Sequence, residues 1–368
     1  MHLNGHADPG APRLAPLLAR APKRVLFFGK NMSRTRCTGA LAEALRRHGL
    51  DVKWLNMATL RRWLQRPLAE RAARWVHQRF RPDLIFVFCR DLPKHLLEEF
   101  GKHTPVVLWV EEPLHDVDAE QVRYFAAASL VCMSNPGKFR WLREQGLSNM
   151  AFVMSGFSPT FHHPVEPRRP IRDLVFIGGP GFSSMRAEFL AEISQHYRTE
   201  IFGPKELWAS SVARYPQLRV RDAVGAPGYR EVCATSRIVL GLNQVNEDPL
   251  YFSNRTFLTL ACRGFHLTHY VPGLETVFQD GEHLAWYVDP RECLAKIERY
   301  LDADAERERI AANGHDLVVA RHQYYHRIDQ ILAMLRGDVP ATKEPVVVLE
   351  TQPRLAPPSP LPAARAAK

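Results

Sequence analysis

The sequence predicts an α/β protein built from two doubly wound parallel sheets. Short apolar runs alternate with helical patterns along most of the chain, which is the pattern of strand–helix–strand units. A proline-dense segment at residues 159–171 interrupts this alternation once. With 368 residues, the chain is long enough for two domains rather than one.

The first series of elements starts with the strand Arg24–Phe28, whose sequence RVLFF is apolar after its first residue. Uninterrupted apolar runs are typical of parallel strands that are buried on both faces. A polar loop and the helix ALAEALRRHG follow. Five further strands are predicted at Asp51–Asn56, Asp83–Phe88, Val106–Val110, Leu130–Met133 and Ala151–Met154.

The second series follows the linker, in which Pro159, Pro164, Pro167 and Pro170 favour an extended connection. It begins with the strand LVFI at Leu174–Ile177. Further strands are predicted at Thr199–Phe202 and Arg237–Leu242, and helices at Ser184–His196, Tyr229–Thr235, Ala303–Val319 and Tyr325–Leu335. Residues 1–22 and 337–368 are rich in Pro and Ala and lack periodicity, so we expect a disordered leader and tail.

Composition restricts the compartment and the partners. The sequence contains no run of eighteen apolar residues, so we expect no transmembrane helix. The N-terminus lacks the apolar core of a signal peptide. The six cysteines are scattered without zinc spacing, as expected of reduced thiols in the cytoplasm. The formal net charge of +10 favours anionic partners, namely sugar nucleotides, phosphorylated acceptors, anionic lipid or nucleic acid.

Glycines follow the first strand of the second series. The run Gly178-Gly179-Pro180-Gly181 lies between the strand LVFI and a helix. Glycine there lets backbone approach a ligand closely and leaves N–H groups free for phosphate. A tight strand-to-helix turn without a ligand would show the same pattern.

Residues 251–300 carry the sharpest signal. Ser253, Asn254, Arg255 and Thr256 open the apolar helix FLTLAC, and the strand FHLT, a second helix, the strand HLAWYVD and a third helix follow. Free N–H groups and the positive dipole end of a helix favour a diphosphate, to which Arg255 would add a planar donor fork. A surface helix with a solvated arginine is the alternative.

This order of elements resembles the donor half of GT-B glycosyltransferases, and most closely the CgeB-like group related to families 1 and 4. The resemblance extends from about Lys23 to Leu335, and the stretch Gly156–Pro164 resembles the end of that group's first domain. It implies two facing Rossmann-like domains with a cleft between them, and metal-independent transfer of a sugar from a nucleotide-sugar donor. No cofactor is expected.

The resemblance assigns roles to the parts of the chain. We expect an N-terminal acceptor domain at 23–158, the linker at 159–171, a C-terminal donor domain at 172–320 and a helix at 321–336 that returns to the N-terminal domain. The donor diphosphate would be bound by Gly178, Gly179, Asn254, Arg255 and Thr256. Leu258 departs from the family, in which many members carry a glutamate that contacts the donor ribose.

Glu111 and Glu112 follow the strand VVLWV and are the candidate catalytic residues. Carboxylates at the carboxyl end of a strand face the cleft, where one could accept a proton from the acceptor hydroxyl. They resemble the Asp-Asp-Pro of the CgeB-like group. A solvated acidic loop is the alternative, and His115 and Asp116 are weaker candidates for the same role.

Several other groups are candidates for contacts. Lys30, Ser33, Arg34, Thr35 and Arg36 lie in the first strand-to-helix loop, where they could contact an acceptor or the donor phosphates. His269, at the end of a buried strand, is a minor candidate beside the diphosphate. The patterns Asp116-Val117-Asp118 and Asp302-Ala303-Asp304 match the metal-binding DxD but are too short to predict a metal, and His162-His163 lacks a third zinc ligand.

Residues 61–81 interleave arginine with Trp63, Trp75 and Phe80. A helix after Pro67 is expected to place Leu68, Ala72, Trp75 and Val76 inward and the arginines at its rim. An anionic membrane surface or nucleic acid could contact such a segment.

The function predicted from the sequence is a cytoplasmic glycosyltransferase, with peripheral contact at the inner membrane face left open. Its partners would be a nucleotide-sugar donor and a glycan, lipid-linked or protein acceptor. Two alternatives remain: a nucleotide-sugar epimerase or non-catalytic relative with the same fold, and a basic module that binds nucleic acid or an anionic surface.

Overall fold

Two six-stranded parallel sheets, each flanked by helices, make up the molecule. The computed structural model describes residues 17–18, 20–30, 37–111, 114, 117–166 and 170–338. The strand order is β2-β1-β3-β4-β5-β6 in the first sheet and β12-β11-β10-β7-β8-β9 in the second. Two parallel sheets of this kind confirm the fold class predicted from the sequence.

The first sheet consists of strands from residues 24–152. Its strands are β1 Arg24–Phe28, β2 Asp51–Leu55, β3 Leu84–Phe88, β4 Val106–Val110, β5 Leu130–Met133 and β6 Met150–Phe152. Its helices are α1 Cys37–Arg47, α2 Met57–Phe80, α3 Lys94–Gly101, α4 Ala119–Ala126 and α5 Phe139–Glu144. The apolar strands are buried because helices cover both faces of the sheet, and Val25 to Phe28 have no exposed surface.

The second sheet is built in the same way. Its strands are β7 Arg172–Ile177, β8 Thr199–Phe202, β9 Arg219–Arg221, β10 Ser236–Gly241, β11 His266–His269 and β12 Ala285–Tyr287. Its helices are α6 Met185–His196, α7 Lys205–Arg214, α8 Ala226–Ala234, α9 Arg255–Ala261, α10 Pro290–Leu301 and α11 Asp304–Arg321. The expected helix after Pro272 is a single 3₁₀ turn at Leu274–Thr276.

The last helix, α12 (Tyr324–Arg336), packs on the first sheet's core. Tyr324, Ile328 and Ile331 are buried among residues of β1, β4 and α1. The chain therefore passes between the two halves twice. The two passages touch, because the N–H of Phe157 donates to the carbonyl of His322 at 3.3 Å and that of Tyr324 donates to the carbonyl of Phe157 at 2.9 Å.

Helix α2 differs from the prediction. It begins at Met57, and its backbone is broken at Gln65, where φ is 61°, before it continues through Pro67. Ala69 and Ala73 face the core, whereas Leu68 is 56% exposed and Trp75 is 62% exposed. The expectation that Leu68 and Trp75 point inward was wrong, because the small alanine face lets this helix lie close to the sheet.

The two sheets end at one cleft. In the first sheet, strands are added towards one edge up to β2 and towards the other edge from β3 onwards, so the strand order reverses between β1 and β3. In the second sheet, it reverses between β7 and β10. In open parallel sheets such switch points form crevices at the carboxyl ends of the strands. Here the residues that follow β1, β3, β7 and β8 line a common cavity of about 1080 Å³.

In the described part of the chain, no helix combines the length and the apolar character that crossing a bilayer would need.

Candidate functional site

The cavity between the sheets is lined by both halves of the molecule. From the N-terminal half, Lys30, Thr38 and Asp91 contribute, and from the C-terminal half Gly178, Asn254 and Arg255 do so. A volume of this order suits a ligand larger than a single sugar. The cavity thus gathers residues that lie more than two hundred positions apart in sequence.

Arg255 is the most distinctive residue of the cavity wall. Its side chain is half-buried and forms no ion pair or hydrogen bond with the described residues. Its guanidinium carbon lies 5.7 Å from the centre of the Phe176 ring. Burial lowers the pKa of Arg255 from its usual value, because the charged form loses water. A cation in this position lacks a counter-ion, which an anionic ligand would supply.

A second arginine stands on the same ring. Arg186, at the start of α6, lies 5.3 Å from the Phe176 ring centre and is 5% exposed. It donates to the carbonyls of Gly179 at 2.8 Å and Leu242 at 2.9 Å. Burial, and then the charge of Arg255, lower the pKa of Arg186 to about 9. The two cations raise the positive potential at one end of the cavity. Arg186 belongs to no sequence motif, so its role could not be predicted from the chain alone.

The start of α9 is tied to the end of β10. The Ser253 hydroxyl accepts from the N–H of Arg255 at 3.3 Å, and the N–H of Ser253 donates to the Asn243 side chain at 2.9 Å. Ser253 is therefore the capping side chain, and Asn254 makes no side-chain cap. The helix has seven residues, so its dipole is small and Arg255 supplies most of the local positive charge.

Thr256 has a different environment from Arg255. Its side chain is 1% exposed, and its hydroxyl is 3.2 Å from Nε2 of His266. It does not belong to the cavity lining. The threonine side chain thus anchors α9 to β11 inside the domain.

Gly178 leaves room for Arg255. A Cβ at Gly178 would lie 3.1 Å from Nη1 of Arg255 and 3.1 Å from the Phe176 ring, which is tight packing. Gly179 has open space around the same position. Gly178 lines the cavity, whereas Gly179 contributes its carbonyl to Arg186 behind the wall. Any side chain at Gly178 would press on the arginine.

Glu111 lies at the end of β4, one layer behind the cavity wall. Its Oε1 accepts from the Ser155 hydroxyl at 2.8 Å and from the Tyr324 hydroxyl at 3.0 Å. Tyr324 and Cys37 separate Glu111 from the cavity that they line. Burial and the nearby Glu111 raise the pKa of the Cys37 thiol well above its usual value, so this thiol is neutral.

The part of the cavity wall next to Gly178 on the β8 side is largely apolar. Phe202 ends β8, Gly203 and Pro204 follow it, and Ala223 to Ala226 follow β9. Leu258 lies in the same wall. The N–H groups of Ala223 and Val224 form no hydrogen bond with the rest of the described chain. Such a wall can accept a flat ring and offer donors to its edge.

His162 also lines the cavity. In the sequence it belongs to the adjacent pair His162-His163, which lacks a third zinc ligand. It is 7% exposed and packs edge-to-face on Tyr229, with the ring centres 5.6 Å apart. Burial, followed by the charges of Arg230 and His163, lowers the pKa of His162 to about 4. The imidazole is therefore neutral near pH 7, and it makes no side-chain hydrogen bond with described residues.

The remaining predicted contacts are spread out. Lys30 lines the cavity and pairs with Asp91 at 3.1 Å. His269 is outside the cavity lining, and its Nδ1 lies 2.7 Å from the carbonyl of Tyr270. Arg34, Glu112, His115 and Asp116 fall outside the described residues, as do Ser33, Thr35 and Arg36.

Neither DxD pattern gathers metal ligands in the described ranges. Asp118 caps α4 by accepting from the N–H of Gln121 at 2.7 Å, and Asp304 pairs with Arg307. No group of three or more His, Cys, Asp or Glu side chains among the described residues has the geometry of a metal site.

Comparison with known proteins finds one family match over part of the chain and several structures of similar fold. Residues 186–333 match the family described as glycosyl transferase-like. No curated protein matches the chain by sequence. Among solved structures, HepE from Anabaena, determined with UDP and glucose, is 14% identical, with a TM-score of 0.60 over 85% of this chain and 99% of HepE.

Two further structures share the architecture. Sucrose-phosphate synthase from Thermosynechococcus elongatus is 13% identical, with a TM-score of 0.61 over 86% of this chain and 100% of that one. The DNA-modifying enzyme β-glucosyltransferase is 12% identical, with a TM-score of 0.57 over 86% and 99% of the two chains. The fold is GT-B, and the family match and the fold together support a glycosyltransferase. The CgeB-like subtype stays a prediction.

Proposed function

We propose that the protein transfers a sugar from a nucleoside diphosphate donor to an acceptor bound in the cleft between its two sheets. The observation that carries this proposal is Arg255, a half-buried cation without a counter-ion in the described chain, which faces a cavity of about 1080 Å³. HepE, which has the same fold, was solved with UDP and with UDP-glucose. A nucleotide sugar fits both the charge and the size of this cavity.

The donor diphosphate would lie against Gly178, Asn254 and Arg255. As the sugar–phosphate bond breaks, negative charge grows on the leaving diphosphate, and a fixed guanidinium stabilises that charge more than it stabilises the ground state. Arg186, which also packs on Phe176, would add to the positive potential at the diphosphate. It donates hydrogen bonds to the carbonyls that follow β7 and β10. In this proposal the two arginines take the place of a metal ion.

The nucleoside would lie against the apolar part of the cavity wall. The unpaired N–H groups of Ala223 and Val224 could donate to the edge of the base. Leu258 offers no acceptor to the ribose hydroxyls, whereas His162 lines the same cavity with a neutral imidazole. We therefore assign His162, as a neutral imidazole, to a hydrogen bond with the nucleoside.

The acceptor would approach from the first sheet. Ser155 and Tyr324 donate to Oε1 of Glu111 and hold its carboxylate, which would accept a proton from an acceptor hydroxyl. This role requires the acceptor to reach Glu111 past Tyr324. Glu112 remains the alternative base, and Lys30 and Arg34 the alternative acceptor contacts. Six free cysteines fit a reducing compartment such as the cytoplasm.

Thermal unfolding in the presence of UDP-, GDP-, ADP- and dTDP-sugars tests the proposal, because a ligand that binds the folded state raises the melting temperature. We expect one donor class to raise it and to be cleaved slowly to the free nucleoside diphosphate. Binding without cleavage would indicate a non-catalytic relative, and conversion of the sugar without loss of the nucleotide would indicate an epimerase. No shift with any donor would contradict the proposal.

A further inference from the structure

The second half of α2 has two apolar faces, and only one of them is used by the core. Ala69 and Ala73 are fully buried against the first sheet. Leu68 and Trp75 are seven residues apart, which is almost two helical turns, so they lie together on the opposite face. Both are more than half exposed. The helix therefore exposes two large apolar side chains to solvent that its packing against the sheet does not require.

The first half of α2, which precedes the backbone break at Gln65, also carries exposed apolar side chains. Trp63 is 77% exposed, the most exposed of the large apolar side chains in the described chain, and Leu64 is 38% exposed. Elsewhere in the described chain the exposed large apolar side chains occur singly, as Leu207 does on α7 with 61% of its surface exposed, or as the pair Phe182 and Met185. Single exposed residues need no explanation, but four large apolar side chains exposed along one short segment mark an interaction surface. We call Trp63, Leu64, Leu68 and Trp75 the tryptophan face.

Charge accompanies the tryptophan face. Residues 61–81 contain seven arginines and one acidic residue, Glu70. Arg66 pairs with Glu70 at 3.0 Å, and Arg74 pairs with Glu99 at 2.9 Å. The other five form no ion pair within the described ranges, and all five are exposed: Arg61, Arg62, Arg71, Arg79 and Arg81. The side chains that flank the exposed apolar groups are thus uncompensated cations.

We propose that the tryptophan face is a docking surface for an anionic lipid bilayer. Tryptophan prefers the boundary between headgroups and acyl chains, where its ring is buried and its N–H stays solvated. Arginine stems lie along the apolar boundary while their guanidinium groups reach lipid phosphates. α2 starts directly after β2, so its first half lies at the carboxyl edge of the first sheet, the edge that borders the cleft. The inference does not depend on which sugar is transferred.

Co-sedimentation of the full chain with vesicles tests this surface. We expect binding to vesicles of phosphatidylcholine mixed with phosphatidylglycerol, and little binding to phosphatidylcholine alone, with a loss at high salt. The double variant Trp63→Ser/Trp75→Ser should bind at least about tenfold more weakly, since two buried rings are lost. Arg71→Glu/Arg79→Glu should have a similar effect through charge.

The matched control is Leu207→Ser, which removes an equally exposed apolar side chain from the other half of the molecule and should bind like the unmodified chain. All variants replace exposed side chains, so their melting temperatures should not change. Failure to bind anionic vesicles, or equal binding by the tryptophan variant, would overturn the proposal. So would preferential binding of a single-stranded oligonucleotide at the same salt concentration, because that result would assign the arginines to nucleic acid.

Discussion

At the scale of single residues, the site is defined by two arginine charges that no carboxylate of the described residues balances. Arg255 and Arg186 stand on the Phe176 ring, and among the described residues neither has a carboxylate. Buried cations are usually paired, so this arrangement costs stability unless an anion is bound. A positive site that is formed in advance binds an anion without reorganisation, which is what a leaving diphosphate requires.

Sequence reasoning found only part of this site. Asn254 and Arg255 were identified because they lie together at a helix start after a strand. Arg186 and His162 were not, because their roles depend on contacts distant in sequence: Arg186 binds the carbonyl of Leu242, 56 residues away, and His162 packs on Tyr229 of α8. Such contacts leave no local pattern in the chain.

Replacing Glu111 tests the proposed base. Glu111→Gln keeps an oxygen for the hydrogen bonds from Ser155 and Tyr324, so the fold should be retained. Without a carboxylate, the rate of nucleoside diphosphate release from the preferred donor should fall by about 10²–10⁴-fold, with donor affinity unchanged. Water can serve as the acceptor in this assay.

Glu112→Gln is the matched control and should retain activity. A Glu111→Gln enzyme as fast as the unmodified one would contradict the role of Glu111. A loss confined to the Glu112 variant would transfer the role to that residue.

At the scale of elements, most strands could be predicted from the sequence, and the edge strand β9 could not. β1, β3, β4 and β10 follow uninterrupted apolar runs, which buried parallel strands require. β9 is a three-residue edge strand of sequence RVR with exposed arginines, so it carries no apolar signal. In α2 the buried face consists of alanines, whereas the larger Leu68 and Trp75 are exposed. Side-chain size therefore predicted the wrong inner face.

The two chain passages between the halves predict a sensitive glycine. A Cβ at Gly156 would lie 2.8 Å from the carbonyl oxygen of His322 and 3.2 Å from the nitrogen of Tyr324. Gly156→Ala should push these segments apart and lower the free energy of unfolding by about 1–3 kcal/mol. Urea denaturation measures this change.

Gly101→Ala is the control for that substitution, because its nearest atoms would be 3.7 Å away, in ordinary contact. We expect a change of about 0.5 kcal/mol or less. If the two variants were equally stable, the close crossing of the two passages would not exist as described.

At the scale of the whole molecule, folding buries three histidines in the neutral form. Burial is the first cause that lowers the pKa of His162 to about 4, of His266 to about 3 and of His322 to about 3. Arginines strengthen the effect, since Arg230 faces His162, Arg255 faces His266 and Arg327 faces His322. None of the three takes up a proton in the folded state at mildly acidic pH.

Stability should therefore fall on mild acidification. An unfolded histidine has a pKa of about 6.5, so below that pH the unfolded chain binds protons that the folded chain does not, and unfolding is favoured. Between about pH 7.5 and about pH 5.5, each of the three should remove about 1 kcal/mol from the free energy of unfolding. Urea titrations at the two pH values measure the difference.

His162→Gln provides the comparison, because its side chain borders the cavity and glutamine does not titrate. The variant should lose about 1 kcal/mol less on acidification than the unmodified protein. Equal stability at both pH values would show that these imidazoles are protonated in the folded state as readily as in the unfolded chain.

The account as a whole rests on the anion site at Arg255, and calorimetric titration with nucleoside diphosphates tests it most directly. We expect one of UDP, GDP, ADP or dTDP to bind, and Arg255→Ala to weaken that binding by at least about tenfold, the value of one charge-assisted hydrogen bond. Arg263→Ala, at the exposed far end of α9, should bind like the unmodified protein. Binding that is unchanged in Arg255→Ala, or no binding by the unmodified chain, would contradict the proposed function.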